Sequence, residues 1–214
     1  MTATSNIIED DIKIIKKWLK KGSIDVFGLP FSGKDSQGKK LAIALDASLL
    51  GGGEILRASD HETVKKVIAA GHLAPTDDFL KIVLPYLSRP EFKTQALILN
   101  AVGRWHGEEE AVIQATAQSG HKLKAVISLK IDEQTARQRW QAQDASAGHH
   151  RGIRHDDDAN AFNVRLKVFR AKTIPVIAFY RDKGMLIKVD GSGPANEVFN
   201  RIIKSLASFA KPKK

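Results

Sequence analysis

The stretch that most restricts the fold lies near the start of the chain, at residues 24–45. Ile24-Asp25-Val26-Phe27 is typical of a short buried strand, and the later apolar residues Leu41, Ala42, Ala44 and Leu45 are spaced as on a helix. The segment Gly28-Leu29-Pro30-Phe31-Ser32-Gly33-Lys34 joins them. The backbone amides of such a loop point at phosphate oxygens, and the N-terminus of the following helix adds partial positive charge. The segment therefore predicts the phosphate-binding strand–loop–helix unit of an α/β protein.

Further strand candidates occur at residues 95–100, 124–131 and 185–189, and a helical stretch follows each of them. Repeated alternation of strands and helices predicts a parallel central sheet with helices on both faces, in three α/β/α layers. The least core-like stretch is Gln141 to His155, which is rich in Gly, Ala, Ser, Asp and His. This composition predicts a mobile excursion from the domain.

The first helix is predicted at Asn6 to Lys21, with Ile8, Ile12, Ile15 and Leu19 on one face. Asn6 and Glu9 form a capping-box pattern at its start, and Gly22 is a natural stop. We interpret it as a surface helix packed on the main domain. Membrane association through Trp18 and the lysines, or docking of a partner, are the alternatives.

Charge and composition restrict the partners. The 214 residues carry 34 Lys+Arg against 24 Asp+Glu, a net charge of +10, which implies an anionic partner: nucleotide, nucleic acid or membrane surface. Many arginines are dispersed singly, which favours a small polyphosphate pocket, because each guanidinium can clamp phosphate in a bidentate manner. The absence of cysteine excludes disulfides, cysteine-ligated zinc and a cysteine nucleophile. The sequence shows neither a secretory signal nor a long apolar run, so we expect a cytoplasmic protein without a membrane span.

The loop and the residues after it resemble the P-loop of the adenylate kinases, a nucleoside monophosphate kinase family. In that family glycine, threonine and glutamine follow the lysine; here Asp35, Ser36 and Gln37 do. Phe31 and Asp35 each replace a glycine, and we expect Asp35 to point along the outer side of the helix, because an inward carboxylate would repel phosphate. The resemblance places the magnesium-binding hydroxyl on Ser36. It implies the ATP-binding residues Gly28, Phe31, Ser32, Gly33, Lys34, Asp35, Ser36, Gln37, Arg139 and Gly193.

Three later segments resemble the family's site for the acceptor nucleotide: Gly52 to Arg57, Gly71 to Asp77 and Leu97 to Arg104. Asn100 replaces an aspartate that helps to organise magnesium through water. Glu108 replaces a glutamine that reads the adenine edge, and a glutamate accepts hydrogen bonds but does not donate them. The resemblance implies the AMP-binding residues Gly52, Arg57, Leu73, Ala74, Gly103, Arg104, Glu108, Arg154 and Arg165.

The segment from Arg154 to Arg165 resembles the family's lid-closing pattern, with Asp156 and Asp157 available to aim the arginines. Arg139 resembles the first lid arginine, and the next one falls at Gln143, so it is missing or supplied by Arg151. The catalytic residues implied are Lys34, Arg104, Arg139, Arg154 and Arg165. The excursion resembles the short-lid form without structural zinc, so His149, His150 and His155 are expected to be plain lid residues.

The resemblance implies a kinase domain at residues 23–209, with an acceptor lobe at about 50–80 and a lid at about 140–155. Residues 1–22 form an added helix, and residues 210–214 form a basic tail. The implied reaction is reversible phosphoryl transfer from ATP, with Mg²⁺, to AMP, giving two ADP, by a monomer that binds no nucleic acid. Two alternatives stay open. One is a kinase for UMP, CMP or a deoxynucleotide; the other is a degenerate nucleotide-binding protein with little activity.

Overall fold

The computed structural model describes residues 3–145 and 159–212. It contains a five-stranded, fully parallel sheet. The strands are β1 (Ser23–Gly28), β2 (Ala47–Gly51), β3 (Ala96–Asn100), β4 (Leu123–Lys130) and β5 (Leu186–Asp190), and their order in the sheet is β2-β3-β1-β4-β5. The prediction of an α/β fold with a parallel central sheet is confirmed.

The strand β2 was not predicted from the sequence. It pairs with β3 in register from Ala47 opposite Ala96 to Gly51 opposite Asn100. The other four strands agree with the predicted segments to within one or two residues at each end.

Ten α-helices of the described residues flank the sheet. They are α1 (Ala3–Leu19), α2 (Lys34–Leu45), α3 (Gly52–Ala58), α4 (Glu62–Ala69), α5 (Thr76–Ile82), α6 (Glu109–Gln118), α7 (Glu133–Ala145), α8 (Ala159–Val168), α9 (Ile174–Asp182) and α10 (Ala195–Ala210). Short 3₁₀ turns at Leu84–Ser88 and Pro90–Phe92 precede β3, and a π-helical turn at Phe169–Thr173 joins α8 to α9. The first part of the predicted excursion, residues 141–145, belongs to α7; its remainder lies outside the described residues. Over the described part of the chain, no helix combines the length and the apolarity that crossing a membrane requires.

The first helix is part of the main core. Ile15 and Leu19 are fully buried in the same cluster as residues of α2 and α10, and the Trp18 ring meets the Phe209 ring edge-on at 6.0 Å. This agrees with the interpretation of a helix packed on the main domain. The predicted ends were wrong: the helix begins at Ala3, which leaves Asn6 inside it, and it ends before Lys20, which adopts a left-handed φ of 52°.

Side chains alternate between the two faces of the sheet, as the two-residue period of a strand requires. Ile24 and Val26 of β1, with Ile98 of β3, contribute to the cluster that contains α1, α2 and α10 residues. Phe27 and Leu97 point to the opposite face, where the cluster includes residues of α3 to α6 and α9. A parallel sheet covered on both faces leaves its carboxyl edge as the place where loops from several strands meet.

Candidate active site

The predicted phosphate loop lies at this edge, between the end of β1 at Gly28 and the start of α2 at Lys34. A Cβ added to Gly28 would lie 2.3 Å from the Ser32 Oγ atom, so this position requires glycine. Gly33 adopts a φ of 91°, and Phe31 adopts a left-handed φ of 61°, which is uncommon for a bulky residue. The loop is therefore tightly folded, and Phe31 holds a strained backbone conformation within it.

The Phe31 side chain packs into an aromatic and aliphatic cluster, and these contacts stabilise the residue in its strained backbone conformation. Its ring meets Phe162 of α8 at a centroid distance of 5.6 Å, and Phe162 stacks on Trp140 of α7 at 5.1 Å. Leu29, Ala136 and Leu166 complete the buried part of this group, which we call the loop cluster. The loop cluster joins the phosphate loop to the two helices that flank residues 146–158.

The sequence led us to expect that Asp35 points along the outer side of α2, but its carboxylate faces the end of β3. Asn100 Nδ2, at the end of β3, donates a hydrogen bond to Asp35 Oδ1 at 2.6 Å. The same oxygen lies 3.8 Å from Lys34 Nζ, and Asp35 lines the cavity beside the loop. The expectation was wrong because an amide donor and a neighbouring cation compensate the carboxylate where it faces β3.

A cavity of about 510 Å³ opens at the phosphate loop. The loop contributes residues 28 and 30–34, and residues 35–37 of α2 follow them. Four of the five arginines predicted for the site line the same cavity: Arg57 of α3, Arg104 after β3, Arg139 of α7 and Arg165 of α8. The fifth, Arg154, lies outside the described residues. Gly193, after β5, also lines the cavity.

Three of these arginines form an electropositive group. The pKa of Arg104 is lowered to about 10. Burial is the largest cause of this shift, and the nearby charges of Arg165 and Arg57 contribute to it. Arg104 remains protonated at neutral pH, but its charge is unfavourable while no anion is bound. A phosphate group placed among the three guanidinium groups would relieve this repulsion.

Arg139 connects two loops across the cavity. Its Nη1 atom donates to the carbonyl oxygen of Ser32 at 3.2 Å, and its Nη2 atom donates to that of Gly191 at 2.9 Å. The guanidinium group therefore lies between the phosphate loop and the loop after β5, where it can contact a ligand that spans both.

The Gln37 side chain is almost fully buried, and its Nε2 atom donates to the carbonyl oxygen of Ala195 at 2.8 Å. Gln37 thus ties α2 to the start of α10, whereas Ser36 is exposed towards the cavity. Ser36 is therefore better placed than Gln37 to contact a bound nucleotide.

The remaining predicted residues surround a second, smaller cavity of about 30 Å³. Its lining includes Gly52, Leu73, Ala74, Gly103, Arg104 and Glu108, so Arg104 borders both cavities. Glu108 is buried, and its two carboxylate oxygens accept hydrogen bonds from Thr76 Oγ1 and from the Trp105 amide, both at 3.1 Å. Burial raises the pKa of this carboxyl group, and the two hydrogen bonds oppose the rise.

Sequence reasoning missed Asp25, which lies fully buried in β1 at the centre of the sheet. Its carboxylate accepts a hydrogen bond from the Val102 amide, at 3.2 Å to Oδ2, and thereby holds the loop that carries Arg104. Burial raises the pKa of Asp25 to about 8, although backbone hydrogen bonds from Val102 and its neighbours act in the opposite direction. A charged residue inside an otherwise apolar strand was the signal that could have identified it.

We predict that Asp25→Asn changes how stability depends on pH. The carboxyl pKa rises from 3.8 to about 8 on folding, so the folded state binds more protons between those values. The free energy of unfolding of the parent protein should therefore fall as pH increases from about 4 to about 8, and this contribution should be absent from the variant. Urea unfolding at several pH values measures both curves. Parallel curves would contradict the prediction.

Comparison with known proteins agrees with this geometry. A sequence profile described as adenylate kinase matches residues 26–185. The adenylate kinase of Parvibaculum lavamentivorans is 32% identical over 183 residues, which covers 83% of this chain and 88% of that protein. The chain belongs to the adenylate kinase family. The adenylate kinases of Thermus thermophilus and Dehalococcoides mccartyi are 29% and 28% identical; each comparison covers 84% of this chain, and 94% and 95% of the relative respectively.

Two non-glycine residues near the site share one backbone conformation. Phe31 in the phosphate loop and Ala101 after β3 adopt left-handed φ values of 61° and 52°. Glycine enters this region freely, whereas a residue with a Cβ does so at a conformational cost on the order of 1–2 kcal/mol.

Proposed function

We propose that this protein catalyses reversible phosphoryl transfer from ATP to AMP, giving two ADP. The observation that carries the proposal is the single cavity that brings together the phosphate loop, Lys34 and four arginines from separate parts of the chain. Membership of the adenylate kinase family supports it.

The charge distribution suits the requirements of this reaction. Two nucleotides that meet end to end bring many negative charges together, so the reaction needs alignment and charge stabilisation more than covalent help. At an effective dielectric of ~20, one close contact between unit charges contributes about 4 kcal/mol before solvation costs. The acceptor phosphate is already ionised at neutral pH, so no general base is required.

We assign the donor side to Lys34, the loop amides and Arg139. Lys34 reaches the outer phosphates from the first turn of α2, and Arg139 lies between the two loops that would flank the donor nucleotide. On the acceptor side, Arg57 and Arg104 would hold the monophosphate. Arg165, together with Arg154, would contact the transferred group as water is excluded.

The residues present fit a magnesium ion bound with ATP. Among residues 3–145 and 159–212, no three His, Asp or Glu side chains are grouped so that they could hold a metal. Phosphates and water would supply most ligands of an ion bound with ATP. Ser36 offers a hydroxyl group beside the loop. Asn100 Oδ1 is buried, has no hydrogen-bond partner within the described part of the chain, and can accept from a water molecule. When bound, the ion would neutralise charge on the donor phosphates.

Binding of the acceptor base requires the acceptor lobe to open. The second cavity, about 30 Å³, has room for little more than a water molecule, far less than a purine. Its lining comes from α3, the segment between α4 and α5, α5 itself and the loop after β3. We propose that the lobe at about residues 50–80 moves away from that loop to admit the base.

An acceptor panel tests the function. ADP formation is followed by a coupled assay with ATP and magnesium, and AMP, UMP, CMP, GMP and no acceptor are compared in parallel. The proposal predicts turnover with AMP well above every other condition. ADP formation in the absence of any acceptor would contradict the proposal, and so would a lack of ADP formation with all four acceptors.

A kinase for another nucleoside monophosphate is the second candidate, and Glu108 favours it. A glutamate cannot donate to the adenine ring nitrogen unless it is protonated, and both of its oxygens already accept hydrogen bonds.

For AMP as the true acceptor, we predict that Glu108→Gln raises kcat/KM for AMP roughly tenfold, the value of about one good hydrogen bond. The amide can both donate to and accept from the adenine edge. Steady-state kinetics with AMP and CMP measure the change. A variant that improves neither acceptor would show that Glu108 serves only to hold Thr76 and Trp105.

A further inference from the structure

The hydrogen bond between Asp35 and Asn100 links the phosphate loop to the end of β3. Its partners lie 65 positions apart in sequence, and Asn100 Nδ2 lies 2.6 Å from Asp35 Oδ1. Only the amino end of the Asn100 amide can donate to a carboxylate, so this contact fixes the orientation of the side chain. Asn100 Oδ1 therefore points away from Asp35, and it is buried without a hydrogen-bond partner among residues 3–145 and 159–212.

Asp35 stands between the groups expected to meet the donor phosphates. It follows Lys34 directly, precedes Ser36, and shares with both the lining of the large cavity. Its carboxylate lies 3.8 Å from Lys34 Nζ and contributes to the electrostatic environment of Arg104. A carboxylate at such a position is costly beside triphosphate unless a cation lies between them.

Magnesium and similar cations prefer oxygen ligands and retain several bound waters in nucleotide sites. The carboxylate of Asp35 and the unpartnered oxygen of Asn100 are both acceptors for the hydrogen atoms of such waters. The hydrogen-bonded pair carries one negative charge, and that charge lies on Asp35, beside the phosphate loop.

We propose that Asp35 supplies the negative charge that organises the water shell of the nucleotide-bound divalent cation, and that Asn100 is a positioning residue in that shell. This inference rests on the proposed nucleotide site. Asp35 is thereby a metal-organising group rather than a simple tie between α2 and β3.

Manganese binding tests the proposal without turnover. The full-length protein is saturated with the β,γ-imido analogue of ATP, and Mn²⁺ affinity is measured by electron paramagnetic resonance. Asp35→Asn should weaken Mn²⁺ binding about tenfold, a typical effect of removing an outer-shell partner of a metal. Affinity for the analogue without metal should be unchanged or higher, because a negative charge has been removed.

Two further variants sharpen the test. The exchange variant Asp35→Gly/Asn100→Asp moves the carboxylate to the end of β3 and should recover Mn²⁺ affinity to within about threefold of the parent, since one negative charge is again present. Asp46→Asn is the matched control: Asp46 caps the other end of α2, is absent from the cavity lining, and should leave Mn²⁺ affinity unchanged. Asp35→Ser is a second neutral variant should Asp35→Asn not fold.

The opposite results would overturn the proposal. Mn²⁺ affinity within twofold of the parent in a neutral Asp35 variant would mean that the carboxylate does not act on the metal. An equal loss of metal-free analogue binding would mean that Asp35 only supports the loop. Failure of the proposed function is a separate outcome: the parent protein would then bind Mn²⁺ and the analogue but transfer no phosphoryl group to AMP.

Discussion

Arg104→Ala is expected to lower turnover by roughly 10³-fold or more, the range reported for loss of one arginine that stabilises a transferring phosphoryl group. Arg104 follows β3, borders both cavities and lies near Arg57 and Arg165. It is assigned to the acceptor phosphate, whereas the binding of ATP is assigned to Lys34 and the loop. Affinity for ATP should therefore change little, and direct ATP titration together with steady-state kinetics separates the two quantities.

Stability provides a second readout for the same position. Burial and two neighbouring arginines lower the pKa of Arg104 from 12.5 to about 10, so its charge is unfavourable in the ligand-free protein. Arg104→Met keeps most of the side-chain length without the charge, and we expect it to unfold at a denaturant concentration at least as high as the parent.

The control for the turnover measurement is Arg181→Ala, on the exposed part of α9, which should retain full turnover. Equal losses of ATP affinity and turnover in Arg104→Ala would show that Arg104 is wrongly assigned.

Phe162→Ala is expected to cost about 3–5 kcal/mol of stability, the usual range for a buried phenylalanine whose surroundings cannot collapse. Phe162 is fully buried, stacks on Trp140 and contacts the Phe31 ring. Its removal would also leave the strained backbone of Phe31 without its main packing partner. We therefore expect weaker ATP binding as well as a lower free energy of unfolding, measured by urea unfolding and ATP titration.

The control for this prediction is Phe209→Ala, near the end of α10. Phe209 is only partly buried and packs on Trp18, on the side of the core that includes α1. Its loss should lower stability by less and leave ATP affinity unchanged. If Phe162→Ala lowers stability but ATP affinity stays at the parent value, the loop cluster does not support the phosphate loop.

Local patterns predicted the features of this fold that depend on neighbouring residues. The phosphate loop was predictable because strand, glycine-bearing turn and helix are consecutive in sequence. The strand β2 was not, because Ala47 to Gly51 contains none of the β-branched and aromatic residues that favour strands, and its pairing with β3 depends on the tertiary fold. Asn6 was a misleading cap signal, since the helix continues for three residues before it.

Contacts between distant residues were the hardest part of the site to predict. The predicted orientation of Asp35 was wrong because its hydrogen-bond partner, Asn100, is contributed by β3, which is distant in sequence from α2. No spacing rule indicated that Arg57, Arg104, Arg139 and Arg165 would line one cavity; family resemblance suggested it. Glu108 is buried with its carboxylate hydrogen-bonded to Thr76 and the Trp105 amide, an arrangement that could not be inferred from residue type alone.

The central claim is tested most directly by following the γ-phosphoryl group itself. The protein is incubated with magnesium, AMP and ATP labelled with ³²P at the γ position, and the products are separated by thin-layer chromatography. The account predicts that label appears in ADP, that it does so only when AMP is present, and that Lys34→Ala abolishes the transfer. Label released as inorganic phosphate, or retained in ATP, would contradict it.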